Sequence, residues 1–291
     1  MDDPMRIEGP GGCAPPGFCP VPVSNFLRFD ETQKPEMLAS VEINCRRVVQ
    51  GDNPNISFLR IEKELPGAFV IVAGGPSLLG TIERIRALNA AGNRIVAMND
   101  AASYLIENGI TPWGCCMWET AAALHGDVLG RPPDITYLLA SRAHSDHYAH
   151  LRERRIVIWH TLDDIGEREI IDRHDDAPVM IAGGSVHALR CIEIGRAMGY
   201  RSFHLFGLDG CYGTTTHAYK DQRQTATELI AHVGGREFRT HTLWAQSAID
   251  LVNQVRAYRH QHEVHGTPFN ICVHGDGLVQ AFARDHGLIV V

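Results

Sequence analysis

The chain has 291 residues, 44% of them hydrophobic and 21% charged, with a net charge of −7 at pH 7. That length fits one large domain, or a domain with an attached arm. The acidic balance gives no overall basic field to recruit nucleic acid, and no apolar run approaches the roughly 18 residues of a membrane span. Met1–Arg6 is acidic and has no apolar h-region, so it does not read as a secretory signal. Eight cysteines are scattered without a small-scaffold framework, which points to free thiols in a reducing cytoplasm.

Residues 1–66 differ from the rest. Gly9 to Pro22 is rich in Pro, Gly and Cys, while Met37–Val49 is spaced as a helix with Met37, Val41, Cys45 and Val48 on one face. The expectation is an N-terminal arm or small helical subdomain packed on a main body of residues 67–291.

From Pro66 onward, strands and helices alternate. Strands are expected at Phe69–Val72, Arg94–Met98, Trp113–Trp118, Ile135–Ala140, Arg155–Trp159, Ser202–Phe206 and Phe269–Val273. Helices are expected at Thr81–Ala91, Ala101–Asn108, Val186–Met198 and Leu243–His260. Such alternation predicts an α/β, Rossmann-like fold with a mostly parallel sheet and helices on both faces. Ligands bind beyond the carboxyl ends of the strands in sheets of this kind.

Four segments stand at such ends. Gly74-Gly75-Pro76-Ser77 joins the first strand to a helix. Glycine permits close backbone approach, and amides at a helix start attract phosphate. Ser77 can cap the helix or donate its hydroxyl. The turn is neither a P-loop, since no Gly-Lys-Ser/Thr follows, nor a dinucleotide fingerprint, since Pro76 stands where that motif has its second glycine. Asn99 and Asp100 end the second strand. They can hold a ribose or base, or simply cap the next helix. Gly183-Gly184-Ser185 repeats the design of the first turn ahead of the helix at Val186. Asp209 follows a buried strand closely, as a Mg²⁺ ligand or a base would, and His217 lies beyond it on a threonine-rich loop. A turn carboxylate and a surface histidine remain the plain alternatives. The other histidines (His144, His147 and His150; His260, His262 and His265) match no ligand spacing, and solvated faces are expected for them. Cys115-Cys116 is expected in the core.

The order of Gly-Gly-Pro-Ser-Leu, a second strand ending near Asn99, Gly-Gly-Ser-Val, and Phe-His-Leu-Phe-Gly-Leu-Asp-Gly with Thr-His-Ala downstream resembles the MptE-like 6-hydroxymethylpterin diphosphokinase family. That family also includes the Maf-type flagellin glycosyltransferases and many phage members. The resemblance covers roughly residues 66–283. It implies a nucleotide-dependent transferase. In the pterin branch ATP donates a diphosphate to a hydroxymethyl group with Mg²⁺; in the glycosyl branch the donor is a CMP- or UDP-sugar. It further implies that Gly74, Gly75, Ser77, Gly184 and Ser185 hold phosphates, with Asp209 and His217 at the reacting centre. The family's usual Gly-Gln-Asp is Gly207-Leu208-Asp209 here, which removes an amide from the acceptor side. The first glycine turn also looks like that of bacterial sialyltransferases, where an asparagine in the place of Asn99 touches the nucleotide. A non-catalytic nucleotide-binding module is the alternative from another class. Expected partners are a small-molecule nucleotide and an acceptor, with no membrane. The sequence leaves the oligomeric state open.

Overall fold

The computed structural model describes residues 5–9, 12–13, 34–52, 64–120, 134–161, 164–219 and 228–291. Two sheets organise them.

The larger sheet has nine strands, every neighbouring pair parallel. Its strands are β3 (Ala68–Val72), β4 (Arg94–Met98), β5 (Gly114–Met117), β6 (Thr136–Ala140), β7 (Arg155–Thr161), β8 (Met180–Ile181), β9 (Ser202–Phe206), β12 (Asn270–Val273) and β13 (Ile289–Val290). In space they run β13-β12-β9-β3-β4-β5-β6-β7-β8. Strands β3 to β8 step outward in one direction, and β9 then returns to the other side of β3. The strand order reverses between β3 and β9, so their loops diverge and leave a crevice at their carboxyl ends.

Helices cover both faces, which explains why the central strands read as continuous apolar runs. All five residues of β3 are buried. Phe69 and Ile71 join a core with Leu251, Val255, Leu278 and Val279 on one face. Val70 and Val72 join Leu78, Ile85, Ala101 and Leu105 on the other. The helices on this scaffold are α2 (Leu78–Ala90), α3 (Ala101–Glu107), α4 (Ser145–His150), α5 (Ile165–His174), α6 (His187–Ala197), α7 (Thr242–His265) and α8 (Leu278–Asp285). Among the described residues, no helix is long and apolar enough to cross a membrane.

The smaller sheet is antiparallel, in the order β11-β10-β1-β2, from β11 (Arg236–Thr240), β10 (Leu229–Val233), β1 (Arg6–Gly9) and β2 (Gly12–Cys13). Gly234 and Gly235, at φ +56° and +71°, make the two-residue turn between β10 and β11, as a primed hairpin turn requires. The segment expected as an arm therefore begins with a strand that pairs with β10. Its helix, α1 (Lys34–Val49), packs Val41 and Cys45 on Ile170 and Ile171 of α5. Most of the Pro- and Gly-rich stretch from Gly9 to Pro22 lies outside the described residues.

A buried ion pair ties the far end of the large sheet together. Arg142 and Glu167, both fully buried, form a two-point bridge, with Arg142 Nε donating to Glu167 Oε1 at 2.8 Å. Thr161 donates its hydroxyl to the other carboxylate oxygen at 3.0 Å.

Candidate active site at the crossover of β3 and β9

The loops that follow β3 and β9 interlock. Ala73 N–H donates to Phe206 O at 2.8 Å, and Gly75 N–H to Gly207 O at 2.7 Å. Ser77 N–H donates to Asp209 Oδ2 at 2.7 Å. The approach is close enough that glycine is required: a methyl at Gly75 would strike the Asp209 carboxylate and the Gly207 carbonyl. Gly207, at φ +63°, would strike the Ala73 carbonyl in turn. From the other side Gly277 lies against the Asp209 backbone, and Val279 N–H donates to Asp209 O at 3.0 Å. Asp209 is thereby fixed in position.

A cleft of about 260 Å³ opens at this crossover. Of the residues expected at the site, Gly74, Gly75, Pro76, Asn99, Asp209 and His217 line it together. Ser77 lies behind them, with Asp209, on a neighbouring hollow. Asp100 is buried at the head of α3, and Gly183, Gly184 and Ser185 do not line the cleft. Ser77 and Asp100 both occupy helix N-cap positions, yet neither side chain makes a capping hydrogen bond.

The anion cradle expected from the two glycine turns is not built as foreseen. The amides of Gly75 and Ser77 are taken by the β9 loop, as above. In the second turn Ser185 N–H donates to Asp250 Oδ2 at 2.8 Å, and Gly184 packs against Leu189 and Asp250 of the same fold. Each serine amide already holds a carboxylate of the chain. What the second turn brings to the cleft is the segment after it: Val186, His187 and Ala188, at the start of α6, line the wall. A helix start of this kind favours negative charge.

Asn99 is distinctive. It sits at φ +46°, the one non-glycine residue with positive φ among the described residues. Its side-chain oxygen is buried without a hydrogen-bond partner. The left-handed backbone, which Asn tolerates better than most residues, and the unsatisfied buried amide oxygen single this position out.

Asp209 is 4% exposed, and burial pushes its carboxyl up from the ordinary range, against the pull of Ser77 and Gln280. Its Oδ1 is buried and unpartnered. Among the described residues no second carboxylate lines the cleft. One carboxylate with an unfilled oxygen fits Mg²⁺ that arrives with phosphate and water ligands, and does not make an all-protein cage.

His217 stands on a strap over the first turn. Ala218 N–H donates to Gly74 O at 3.0 Å, and Thr215 Oγ1 donates to His217 O at 2.7 Å. Its Nδ1 lies 3.1 Å from Thr216 Oγ1. A methyl at Gly74 would meet the Tyr219 hydroxyl and the His217 ring.

Sequence reasoning missed Trp244. It lines the cleft from the first turn of α7 and packs on His241 and Tyr212, ring centres 4.2 and 4.9 Å away. Burial holds His241 near a pKa of about 4, so that ring is neutral. In the sequence Trp244 reads as one more apolar position of an amphipathic helix. Among the remaining histidines, His150, His260, His262 and His265 are exposed as expected. His144 and His147 are corrected: both are buried, because α4 packs beneath α1. The His144 ring accepts from Asp146 N–H at 3.2 Å and meets Glu36 at 3.1 Å. Cys115 and Cys116 lie in the core.

A parallel, doubly wound sheet with a polar cleft at its switch point makes this a Rossmann-like α/β protein with its candidate site at the β3–β9 crossover. Residues 47–215 match the family model described as MptE-like, 6-hydroxymethylpterin diphosphokinase MptE-like. That span is more than half of the chain, and the chain belongs to this family. The family's description is that of a transferase, and membership supports that class of activity here. The structure of a Maf glycosyltransferase from Magnetospirillum magneticum AMB-1 is similar, with a TM-score of 0.55 and 17% sequence identity over 83% of this chain. This chain spans only 37% of that neighbour's length, and at that identity the likeness is one of fold. No curated protein matches the chain.

Proposed function

We propose that the chain transfers a diphosphoryl group from ATP to a hydroxymethyl acceptor of pterin-like type, in the cleft between β3 and β9. The observation that carries this reading is the convergence of Asn99, Asp209 and His217 on one cleft at the switch point of a family member's sheet. In this scheme Asn99 binds the nucleoside through its unpartnered amide, and Trp244 offers a stacking face for the base. The start of α6 faces the phosphates. The acceptor hydroxyl oxygen attacks the β-phosphorus, the bond from that phosphorus to the α,β-bridging oxygen breaks, and AMP leaves. His217 takes the hydroxyl proton or stabilises the departing phosphate. Asp209 Oδ1 would hold Mg²⁺, which supplies neutralisation of phosphate charge when bound. Positioning and charge stabilisation then account for most of the rate.

A second reading, glycosyl transfer from a CMP- or UDP-sugar, is favoured by a specific observation. With the amides of Gly75, Ser77 and Ser185 occupied, the site has fewer donors for a triphosphate than the two turns promised. A donor with one or two phosphates asks for less. The same cleft and the same His217 would serve.

Thermal-shift titrations with ATP, CMP- and UDP-sugars, with and without Mg²⁺, test both. A true donor at about 100 times its Kd adds roughly 2.7 kcal/mol of stability. Preference for ATP with Mg²⁺ supports the first reading, and metal-independent preference for a nucleotide sugar supports the second. No nucleotide binding at all discards both. Binding that survives Asp209→Ala with His217→Ala, with no turnover in either protein, would leave a non-catalytic binding module.

A further inference from the structure

We propose that His204, Cys272 and His274 form a binding site for a transition-metal ion such as Zn²⁺, separate from the transferase cleft. Sheet register brings the three together. Cys272 on β12 is the direct partner of His204 on β9, so both side chains leave the same face. His274 follows two residues after Cys272, and a strand returns to the same face every second residue. Its amide still donates to Leu205 O at 2.8 Å, which continues the pairing past the end of β12. One nitrogen from each histidine and the Cys272 sulfur all lie within 4.8 Å of one another. None of the three lines the cleft.

The donor set selects the ion. Two imidazoles and a thiolate suit zinc or copper, and without a carboxylate they offer little to Mg²⁺ or Ca²⁺. Three protein ligands leave a fourth position for water or another small ligand. The rings are held in place: His274 stacks flat on Phe206, 3.9 Å between centres and 3° between planes, and lies 5.1 Å from the His204 ring. Arg84 lies near both rings, and a neutral imidazole keeps one nitrogen lone pair to give to a metal. Arg84 on α2 is also the charge that opposes a cation here, and it limits the affinity.

His204 Nδ1 and His274 Nε2 are 2.8 Å apart and share one proton as a hydrogen bond. Tetrahedral Zn–N bonds of about 2.0–2.1 Å need the two nitrogens roughly half an ångström further apart. Entry of the ion forms two metal–nitrogen bonds and one metal–sulfur bond. The Cys272 thiol proton leaves to solvent, and the proton between the imidazoles moves to the far nitrogen of its own ring. No oxidant or reductant is involved.

Titration of the full chain with Co²⁺, in the absence of nucleotide, tests this. The expected result is one equivalent bound, with a thiolate-to-cobalt charge-transfer band and the strong visible bands of a four-coordinate ion, displaced by Zn²⁺ and unaffected by Mg²⁺. Cys272→Ser abolishes the charge-transfer band and weakens binding at least tenfold. His204→Gln, at a half-buried position, weakens binding by a similar factor. Circular dichroism confirms that each variant is folded. A pale, six-coordinate spectrum without the thiolate band, or affinity unchanged in folded Cys272→Ser, overturns the site. Nucleotide binding plays no part in these readouts, so the proposed transferase activity stands or falls separately.

Discussion

Ser77 and Asp209, 132 positions apart in the chain, meet through a 2.7 Å hydrogen bond from the Ser77 amide to Asp209 Oδ2. A carboxylate from the β9 loop thus occupies the N-terminus of α2, the place a phosphate takes in many nucleotide sites. It satisfies a helix-end amide and complements the positive end of the dipole. The consequence is a cleft with the protein's own carboxylate at its centre, locked by one oxygen and unpartnered at the other.

Asp209→Asn separates these two duties. Asparagine keeps an acceptor for Ser77 N–H and removes a buried charge. The Asp209 pKa is raised in the folded protein, so the native state binds this proton more tightly than the unfolded chain. Stability therefore falls as pH rises from the ordinary aspartate range through the folded pKa, and levels off above it. Asp209→Asn is expected to be at least as stable as the parent at pH 7, with the difference closing as pH drops below the ordinary aspartate value. In the proposed scheme, where Asp209 would hold Mg²⁺, turnover should fall by about a hundredfold or more. Urea melts at neutral and acid pH, paired with single-turnover rates, check this. Clear destabilisation of Asp209→Asn at pH 7 would show that its charge serves the fold.

Two glycines of the same region should respond oppositely to alanine. At Gly75 the added methyl would meet the Asp209 carboxylate and the Gly207 carbonyl, so the interlocked loops must part. A loss of about 2 kcal/mol or more is expected, in the range of other overpacked sites. Gly80 lies in the first turn of α2, with no atom near an added methyl and no positive φ. Gly80→Ala should gain about 0.5–1 kcal/mol through helix propensity and the unfolded state. Chemical denaturation of both variants gives the two signs directly.

Seven of the nine strands of the parallel sheet were legible because the central ones are continuous apolar runs, as in the fully buried β3, whereas the two-residue edge strands β8 and β13 carry no such signal. The strand at Arg94–Met98 and the one at Ser202–Phe206 were placed to the residue. The hairpin of β10 and β11 was not seen, although Gly234-Gly235 between two five-residue strands is a turn signal. Its strands bury only alternate positions, such as Ala231 and Val233, and Phe238 and Thr240, which makes the apolar signal weak. Helix α5 has a polar composition and gains its burial from α1 far along the chain. At the site, local motifs located Gly74, Asn99, Asp209 and His217. They did not reveal that Asp209 and Asp250 fill the serine amides, since those partners lie 132 and 65 residues away.

The buried pair of Arg142 and Glu167 makes a test of stability apart from the cleft. Glu167→Gln leaves the Arg142 guanidinium in the core with its charge uncompensated and disturbs Thr161 as well. A cost of about 3–5 kcal/mol is expected for breaking one side of such a pair. Replacing both, Arg142→Met with Glu167→Leu, should recover much of that loss, because no charge then remains to be buried. Urea midpoints for the single and double variants decide it. A double variant no better than Glu167→Gln would mean that the bridge itself, with its hydrogen bonds, carries the stability.

Asn99 gives the sharpest separation of fold from function. Its φ of +46° is costly for a side chain and free for glycine. Asn99→Gly should therefore be as stable as the parent or slightly more so, while Asn99→Ala should lose about 1 kcal/mol to the left-handed backbone. Both remove the buried, unpartnered amide oxygen. If that oxygen is reserved for a nucleoside, both variants lose donor affinity by about tenfold, the worth of one hydrogen bond to a polar ligand. Calorimetric titration with the donor found by thermal shift measures this. Retention of full affinity by Asn99→Gly would reduce the residue to a backbone role at the tip of β4, and the nucleoside assignment would have to move to another wall of the cleft.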